Sequence, residues 1–530
     1  MDLSDVLDVS KLIEAFFGKK PDVAIASQRV VFGTSGHRGC AFETSFNESH
    51  IVAIVQAICR YRAARGIDGP LFVGRDTHAV SGPAFYVALE VLAGNGAITM
   101  IDTINKFTPT PAVSHAIIEY NRGRANGLAD GIIITPSHNP PEDGGIKYNP
   151  PHGGPAEIGI TSWIEAAANK LLEANLRDVR RIGKNAAEIR VLPHDYVETY
   201  ARQLASVVDL DIVRSAGIRI GVDPLGGAAV NFWKPVAERF GLDLTVTDST
   251  IDPTFRTIPR DWDGQIRMDC SSKYPMQRLL NIKDRFDVAF ANDTDADRHG
   301  IVTPNGLMEP NSYLATCAHY LGNVREHFEG RKIGKTIVSS AMIDRVAKAL
   351  GTTIVEVPVG FKWFVDGLCD GSVYFAGEES AGSSFLRTDG SRWSTDKDGL
   401  IAGLLAAEIT ARTGKSPSDY FAGLTEQLGQ TFYARIDKPA DKQMRAKLSN
   451  IAVDTISNKT LAGEPISRKE TNASGNGAAI GGIKLSTEKG WIAARPSGTE
   501  NIYKIYAESF LSDDHLKALQ IEAQKILEHI

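Results

Sequence analysis

The stretch Gly131-Ile132-Ile133-Ile134-Thr135-Pro136-Ser137-His138-Asn139-Pro140-Pro141 passes from an apolar, β-branched run directly into a proline-flanked turn. The run reads as a buried strand, short and bounded by turn residues. Pro136 and Pro140 fix φ and remove backbone donors, so the turn is stiff and cannot prolong the strand. One serine, Ser137, is left at the C-terminal edge of the strand, the place where open α/β sheets bind ligands. A serine in such a turn is ordinarily only a turn, but a serine held this way is also how a covalent phosphoryl carrier is built.

Working outward, the same unit recurs. Apolar runs at Pro70 to Gly74, Ile218 to Val222 and Thr336 to Ser339 are read as strands, each ending in a loop marked by Gly, Asp or Pro and followed by an amphipathic helical stretch. Strands alternating with helices predict an α/β protein with parallel or mixed sheets. The last hundred or so residues differ. Gly481 to Leu485, Trp491 to Ala494 and Ile502 to Ala507 read as strands, and a helix is expected from about Asp513, which makes an α+β module. At 530 residues the chain has room for roughly three or four domains. Divisions are expected near 204, 306 and 430, giving segments 1–203, 204–305, 306–429 and 430–530.

A second chemical word is Asp287-Val288-Ala289-Phe290-Ala291-Asn292-Asp293-Thr294-Asp295-Ala296-Asp297-Arg298, in which an apolar strand delivers carboxylates at every second position of a loop. Hard oxygen ligands at that spacing suit Mg²⁺ or Ca²⁺. An EF-hand is excluded: counted from Asp293, its sixth place needs Gly and its twelfth Glu, and the chain has Arg298 and Pro304. Two further loops, Gly377-Glu378-Glu379-Ser380 after an apolar run and Arg495-Pro496-Ser497-Gly498-Thr499-Glu500-Asn501 between two such runs, are rich in groups that bind hydroxyls or phosphate. Read alone, Glu378 would fit the start of a helix, near the positive dipole end.

The words TSGHRG, TPSHNPPEDGGIKYNP, DTDADR, GEES, KDG and RPSGTEN occur in this order, and together they resemble the active-site loops of the α-D-phosphohexomutases over nearly the whole chain. These enzymes move a phosphoryl group between the 1- and 6-positions of a hexose through a phosphoserine. The resemblance implies four domains, three similar α/β ones and a smaller C-terminal α+β one, around a central cleft. It makes Ser137 the phosphoryl carrier, and Asp293, Asp295 and Asp297 the ligands, with an oxygen on Ser137, of one Mg²⁺ per chain. Arg38 matches the arginine of the family's first active-site loop, and Lys147 the lysine after the serine loop. Glu378 and Ser380 match the sugar-binding loop, and the GEES spelling favours glucose phosphates. Lys362 and Lys397 fall in further substrate and proton-transfer loops. Lys397 is the candidate general base, on the expectation that burial and neighbouring cations lower its pKa. Arg495, Ser497, Gly498, Thr499 and Asn501 match the clamp for the distal phosphate. His138 has two readings, a group that orients or shuttles a proton and a structural histidine.

Charge counting supports the pairing of the serine and aspartate loops. A phosphoserine contributes about −2, three aspartates −3 and the metal +2, so about −3 remains. Further cations are needed for an anionic sugar phosphate and its transition state, and Lys147, Arg298 and Arg38 lie beside the motifs. The implied reaction interconverts glucose 1-phosphate and glucose 6-phosphate, with glucose 1,6-bisphosphate as intermediate and activator. A mannose or glucosamine phosphate mutase is the nearer alternative, a non-catalytic phosphosugar-binding protein the more distant one, and a phosphatase a third.

A net charge of −6 argues against a nucleic-acid partner. Five cysteines form no CxxC pair, so neither a disulfide framework nor a zinc site is expected, and a reducing cytoplasm fits. No run suggests a signal peptide or a membrane span. The expected state is a monomer or homodimer.

Overall fold

A computed structural model describes residues 6–33, 35–497 and 502–528. They form two compact units, one made from the chain up to Met308 together with Ala381–Ser416, the other from Glu309–Ser380 with the chain from Pro417 onward.

The first unit contains two mixed sheets. One is built from β1 (His37–Cys40), β2 (Leu71–Arg75), β3 (Thr99–Asp102), β4 (Asp130–Ile134), β5 (Asp143–Asn149) and β6 (Val191–His194), in the order β1-β5-β4-β2-β3-β6. Strands β4, β2, β3 and β6 run parallel, β5 is antiparallel to β4, and β1 is antiparallel to β5. The other has β7 (Ile220–Asp223), β8 (Leu244–Val246), β9 (Val288–Asn292), β10 (His299–Thr303) and β11 (Gly306–Leu307), in the order β11-β10-β9-β7-β8. Here β9, β7 and β8 are parallel, while β10 is antiparallel to β9.

The two sheets therefore share a plan that positions the site. In each, a strand buried along its whole length, β4 or β9, ends in a loop and returns as its own antiparallel neighbour, β5 or β10. Such a strand needs no polar alternation, which is why Ile132, Ile133 and Ile134 can follow one another. The serine and aspartate loops occupy equivalent places, at the C-terminal ends of these strands. Leu71, Val73, Ile132, Ile134 and Ile146 join Ile54 and Ile58 of the helix Glu48–Arg65 in one apolar core. A second core gathers Leu225, Met276, Leu279, Ala289, Ala291 and Val302. Asp398 does not stand free: it caps the helix Gly399–Thr413, accepting the Leu400 and Ile401 N–H groups. That cap places Lys397 just before the helix.

In the second unit β12 (Lys332–Thr336), β13 (Ile354–Val357) and β14 (Val373–Glu378) pair in parallel. The expected strand Thr336 to Ser339 is thus corrected: Thr336 is the last residue of a strand that begins at Lys332. Two lysines hide its start from a hydrophobicity pattern. Lys335 is buried because Asp344 and Glu356 pair with it at 2.5 and 3.3 Å. The apolar residues after Thr336 form a turn, not a strand. The C-terminal sheet is antiparallel, ordered Phe432–Pro439, Ile502–Ser509, Gly490–Pro496, Ala479–Ser486, Arg468–Asn472. Leu516, Leu519 and Ile526 of the helix Asp513–Glu528 share a core with Leu485, Ile492 and Ile505. Among the described residues no helix is long and apolar enough to cross a membrane.

Candidate active site

Ser137 has φ +58°, a left-handed backbone that non-glycine residues rarely adopt. The turn around it is pinned at its base, where the Thr135 N–H donates to the Gly145 carbonyl at 2.9 Å. Gly145 has to be glycine, since a Cβ there would lie 2.2 Å from the Thr135 oxygen. The turn is tied to the aspartate loop by two contacts. Ser137 Oγ donates to Asp293 Oδ2 at 2.8 Å, and Thr294 Oγ1 donates to the Ser137 carbonyl.

Asp293, Asp295 and Asp297 are buried, and one ligand oxygen from each lies within 4.8 Å of the others. Asp293 Oδ1 accepts the Arg298 N–H at 3.0 Å. Asp295 Oδ2 accepts from Thr110 Oγ1 at 2.5 Å and from Lys147 Nζ at 2.6 Å. Asp297 Oδ2 faces Lys147 Nζ at 3.0 Å and Lys397 Nζ at 3.2 Å. The remaining oxygens, Asp295 Oδ1 and Asp297 Oδ1, are buried and accept no hydrogen bond. Buried acceptors are rarely left so. Burial, and then repulsion from Asp295 and Asp297, raises the pKa of Asp293 well above the ordinary carboxylate range. Orphaned hard oxygens and like charges in one small space are the donor set of a hard divalent cation, and these residues fit one.

Cations surround this cluster. Lys147 lies on β5, and the two carboxylates hold its proton more firmly than burial loosens it. Lys397 Nζ pairs with the Asp297 carboxylate. Arg298 Nε approaches Asp293 and Asp297 at 3.9 and 3.8 Å. Arg38, on β1, reaches the turn through Asn139, donating to its Oδ1 at 3.2 Å. His138 gives its carbonyl to the Met268 N–H at 3.1 Å, and its Nδ1 is buried without a hydrogen-bond partner. Burial and the neighbouring Arg298 and Arg38 favour the neutral ring, against the pull of Asp269.

In the second unit Glu378 ends β14 and does not open a helix. Its Oε1 accepts the Gly360 N–H at 2.9 Å, and Gly360 has φ +128°, a conformation open only to glycine. Glu378 also acts on Lys362, whose proton is loosened by burial more than this carboxylate secures it. Ser380 is half-buried two residues on. Arg495 lies near the end of the strand Gly490–Pro496, and the Ser497 N–H closes the hairpin on the Ile502 carbonyl at 2.9 Å. Gly498, Thr499 and Asn501 lie outside the described residues. A cavity of about 430 Å³ is lined by Arg495 and Ser497 together with Lys442 and Arg445.

Sequence reading missed several groups. Thr110, Lys442 and Arg445 carry no motif. Asp396, held by Asn149 Nδ2 at 2.9 Å, sits in a loop read only for its lysine. Asp76 carries one signal in the sequence, an acid just after an apolar strand.

Comparison with known proteins gives four consecutive domain matches. The descriptions "Phosphoglucomutase/phosphomannomutase, alpha/beta/alpha" domain I, domain II and domain III match residues 29–175, 198–306 and 309–428, and the C-terminal domain of the same group matches 450–525. A phosphoglucomutase of Komagataeibacter xylinus is 58% identical over 528 residues, covering 99% of this chain and 95% of that protein. Phosphoglucomutase 1 of Drosophila melanogaster is 28% identical over 76% of this chain and 73% of its own. The crystal structure of the Paramecium phosphoprotein pp63/parafusin superposes with a TM-score of 0.74 at 20% identity, covering 96% of this chain and 95% of that one, and so shares the fold.

Proposed function

The chain belongs to the phosphoglucomutase/phosphomannomutase family of α-D-phosphohexomutases, and from that premise we propose that it interconverts α-D-glucose 1-phosphate and glucose 6-phosphate through a phosphoserine at Ser137. The observation that carries the reading is the Ser137 hydroxyl, bonded to one of three clustered carboxylates with Lys147 and Lys397 at the others. Phosphorylated Ser137 gives its phosphoryl group to the free hydroxyl of the substrate. Glucose 1,6-bisphosphate then turns over, and its other phosphate returns to Ser137, so two half-reactions share one carrier.

Asp293, Asp295 and Asp297 would hold Mg²⁺, which when bound supplies positive charge against the phosphate oxygens. Lys147, Arg298 and Arg38 offset charge on the transferring group, and Lys397 is the proposed proton acceptor. Glu378 and Ser380 accept sugar hydroxyls, with Lys362 beside them. Arg495 and Ser497 take the distal phosphate, with Gly498, Thr499 and Asn501 completing the clamp. His138 orients the turn or shuttles a proton. The divisions near 204, 306 and 430, action as a monomer or homodimer and a cytoplasmic setting complete the proposal; all five cysteines are free, which suits a reducing compartment.

A coupled assay for glucose 6-phosphate formation tests the reading. The highest kcat/KM is expected for glucose 1-phosphate. A higher value for mannose or glucosamine phosphate would reassign the substrate, and a wild-type protein without turnover would leave a binding protein.

Two variants probe the second unit. Glu378→Ala should lower kcat/KM by an amount worth about 2–3 kcal/mol, as sugar hydroxyls lose a charged acceptor. Glu378→Gln keeps an acceptor for the Gly360 N–H, so a loss common to both variants reports the sugar; a loss confined to alanine would report the backbone contact instead. Arg495→Ala removes a charged contact worth roughly 1.5–3 kcal/mol. It should raise KM for glucose 1-phosphate and let labelled bisphosphate escape before its second transfer. Retention equal to wild type would exclude Arg495 from the clamp.

A further inference from the structure

Asp76 directly follows β2, and its buried carboxylate accepts four hydrogen bonds. Oδ1 takes the His78 N–H at 3.0 Å and Ser81 Oγ at 2.6 Å; Oδ2 takes Thr135 Oγ1 at 2.6 Å and His78 Nδ1 at 2.9 Å. An ionised carboxylate offers about four acceptor positions, so this one is saturated. Thr135 therefore donates its hydroxyl proton to Asp76 and keeps a lone pair, which accepts the Ser137 N–H at 2.8 Å. His78 carries a proton on Nδ1. Its Nε2 lies 3.1 Å from the Asn139 carbonyl, which has no proton to offer, so that nitrogen is protonated as well. Donor and acceptor counting makes His78 an imidazolium with its side chain shut off from solvent.

One ring thus ties both ends of the serine turn. On one side it reaches Ser137 through Asp76 and Thr135, on the other through the Asn139 carbonyl. Between these ties Ser137 holds its left-handed backbone, which persists only where the surroundings impose it. The Phe255 ring closes over His78 with centroids 4.9 Å apart. Burial works to strip the His78 proton, while Asp76, the Asn139 carbonyl and Asp143 hold it, with a net upward direction.

We propose that His78 is a positioning residue for phosphoryl transfer, clasping the turn so that the Ser137 hydroxyl stays aimed at the aspartate cluster. The proposal rests on reading Ser137 as the phosphoryl carrier. Glutamine at 78 can serve one acceptor but cannot bridge both. In the full chain, His78→Gln is expected to lower kcat about 30- to 100-fold, the scale of a small misplacement of a reacting group. KM should stay within about threefold of wild type, because the sugar and distal-phosphate residues are unchanged. Circular dichroism should show an unchanged fold.

A second measurement does not depend on activity. In ¹⁵N-histidine-labelled protein near pH 7.5, about one unit above the ordinary histidine pKa, the signal that His78→Gln removes should show two protonated ring nitrogens. Should the variant not fold, the wild-type signal is identified by its proximity to the Phe255 ring. A neutral tautomer, or a kcat within about threefold of wild type, overturns the proposal. Failure of the parent reading looks different: the wild type itself would neither turn over glucose 1-phosphate nor carry phosphate on Ser137, and the positioning role would fall with it.

Discussion

Ser137→Ala is expected to give a folded protein whose turnover is lower by about 10⁴-fold or more, roughly 5 kcal/mol of transition-state stabilisation. The fold should survive because alanine and serine are similarly strained at φ +58°, and because the ties to this turn that run through the backbone remain: the Ser137 N–H to Thr135 Oγ1, and Thr294 Oγ1 to the Ser137 carbonyl. Only the hydroxyl contact to Asp293 disappears. The activity should not survive, since the variant lacks the hydroxyl proposed to accept and return the phosphoryl group. Intact-mass analysis of the wild type should show one added phosphate on a fraction of molecules, mapping to Ser137 and absent from the variant. Near-normal turnover of the alanine protein would defeat the mechanism.

Removal of the divalent cation is the other large effect. Chelation should abolish turnover, with Mg²⁺ restoring it better than Ca²⁺, whose looser geometry aligns the phosphate less well. Asp293→Asn, Asp295→Asn and Asp297→Asn should each weaken the metal dependence, because each removes one oxygen of the cluster. Stability offers an independent readout. A ligand that binds only the folded state adds about 2.7 kcal/mol at a hundred times its dissociation constant. Mg²⁺ should therefore raise the wild-type melting temperature and raise that of the three variants less. In metal-free buffer Asp293→Asn should melt no lower than wild type, as it relieves repulsion from Asp295 and Asp297. Full activity in excess chelator, or a variant that responds to Mg²⁺ as wild type does, would rule out the aspartate site.

Much of this could be read from residues that act on near neighbours. Three consecutive isoleucines before Thr135-Pro136 mark a strand and its end because β-branched bulk and a missing N–H act within a few residues, and β4 ends at Ile134. The same local logic placed the apolar run before Asp293 and the strands on either side of Arg495. It failed at β12, where Lys332 and Lys335 break the apolar pattern. A pattern treats lysine as exposed, and only the fold supplies the Asp344 and Glu356 partners that bury Lys335.

The sequence by itself therefore determined which loops carry chemistry, the alternation of strands and helices that makes an α/β protein, and the α+β character of the end. Tertiary structure decided which groups meet. Thr110 and Lys147 reach Asp295 across 185 and 148 positions of chain, and Asn149 reaches Asp396 across 247. Strand order sets those meetings: the serine and aspartate turns occupy equivalent places because β4 and β9 each return as an antiparallel neighbour. The left-handed backbone of Ser137 and the two protons of His78 belong to the same class. Neither is a preference of its residue; each is imposed by hydrogen-bond partners that only the packed sheet brings within reach.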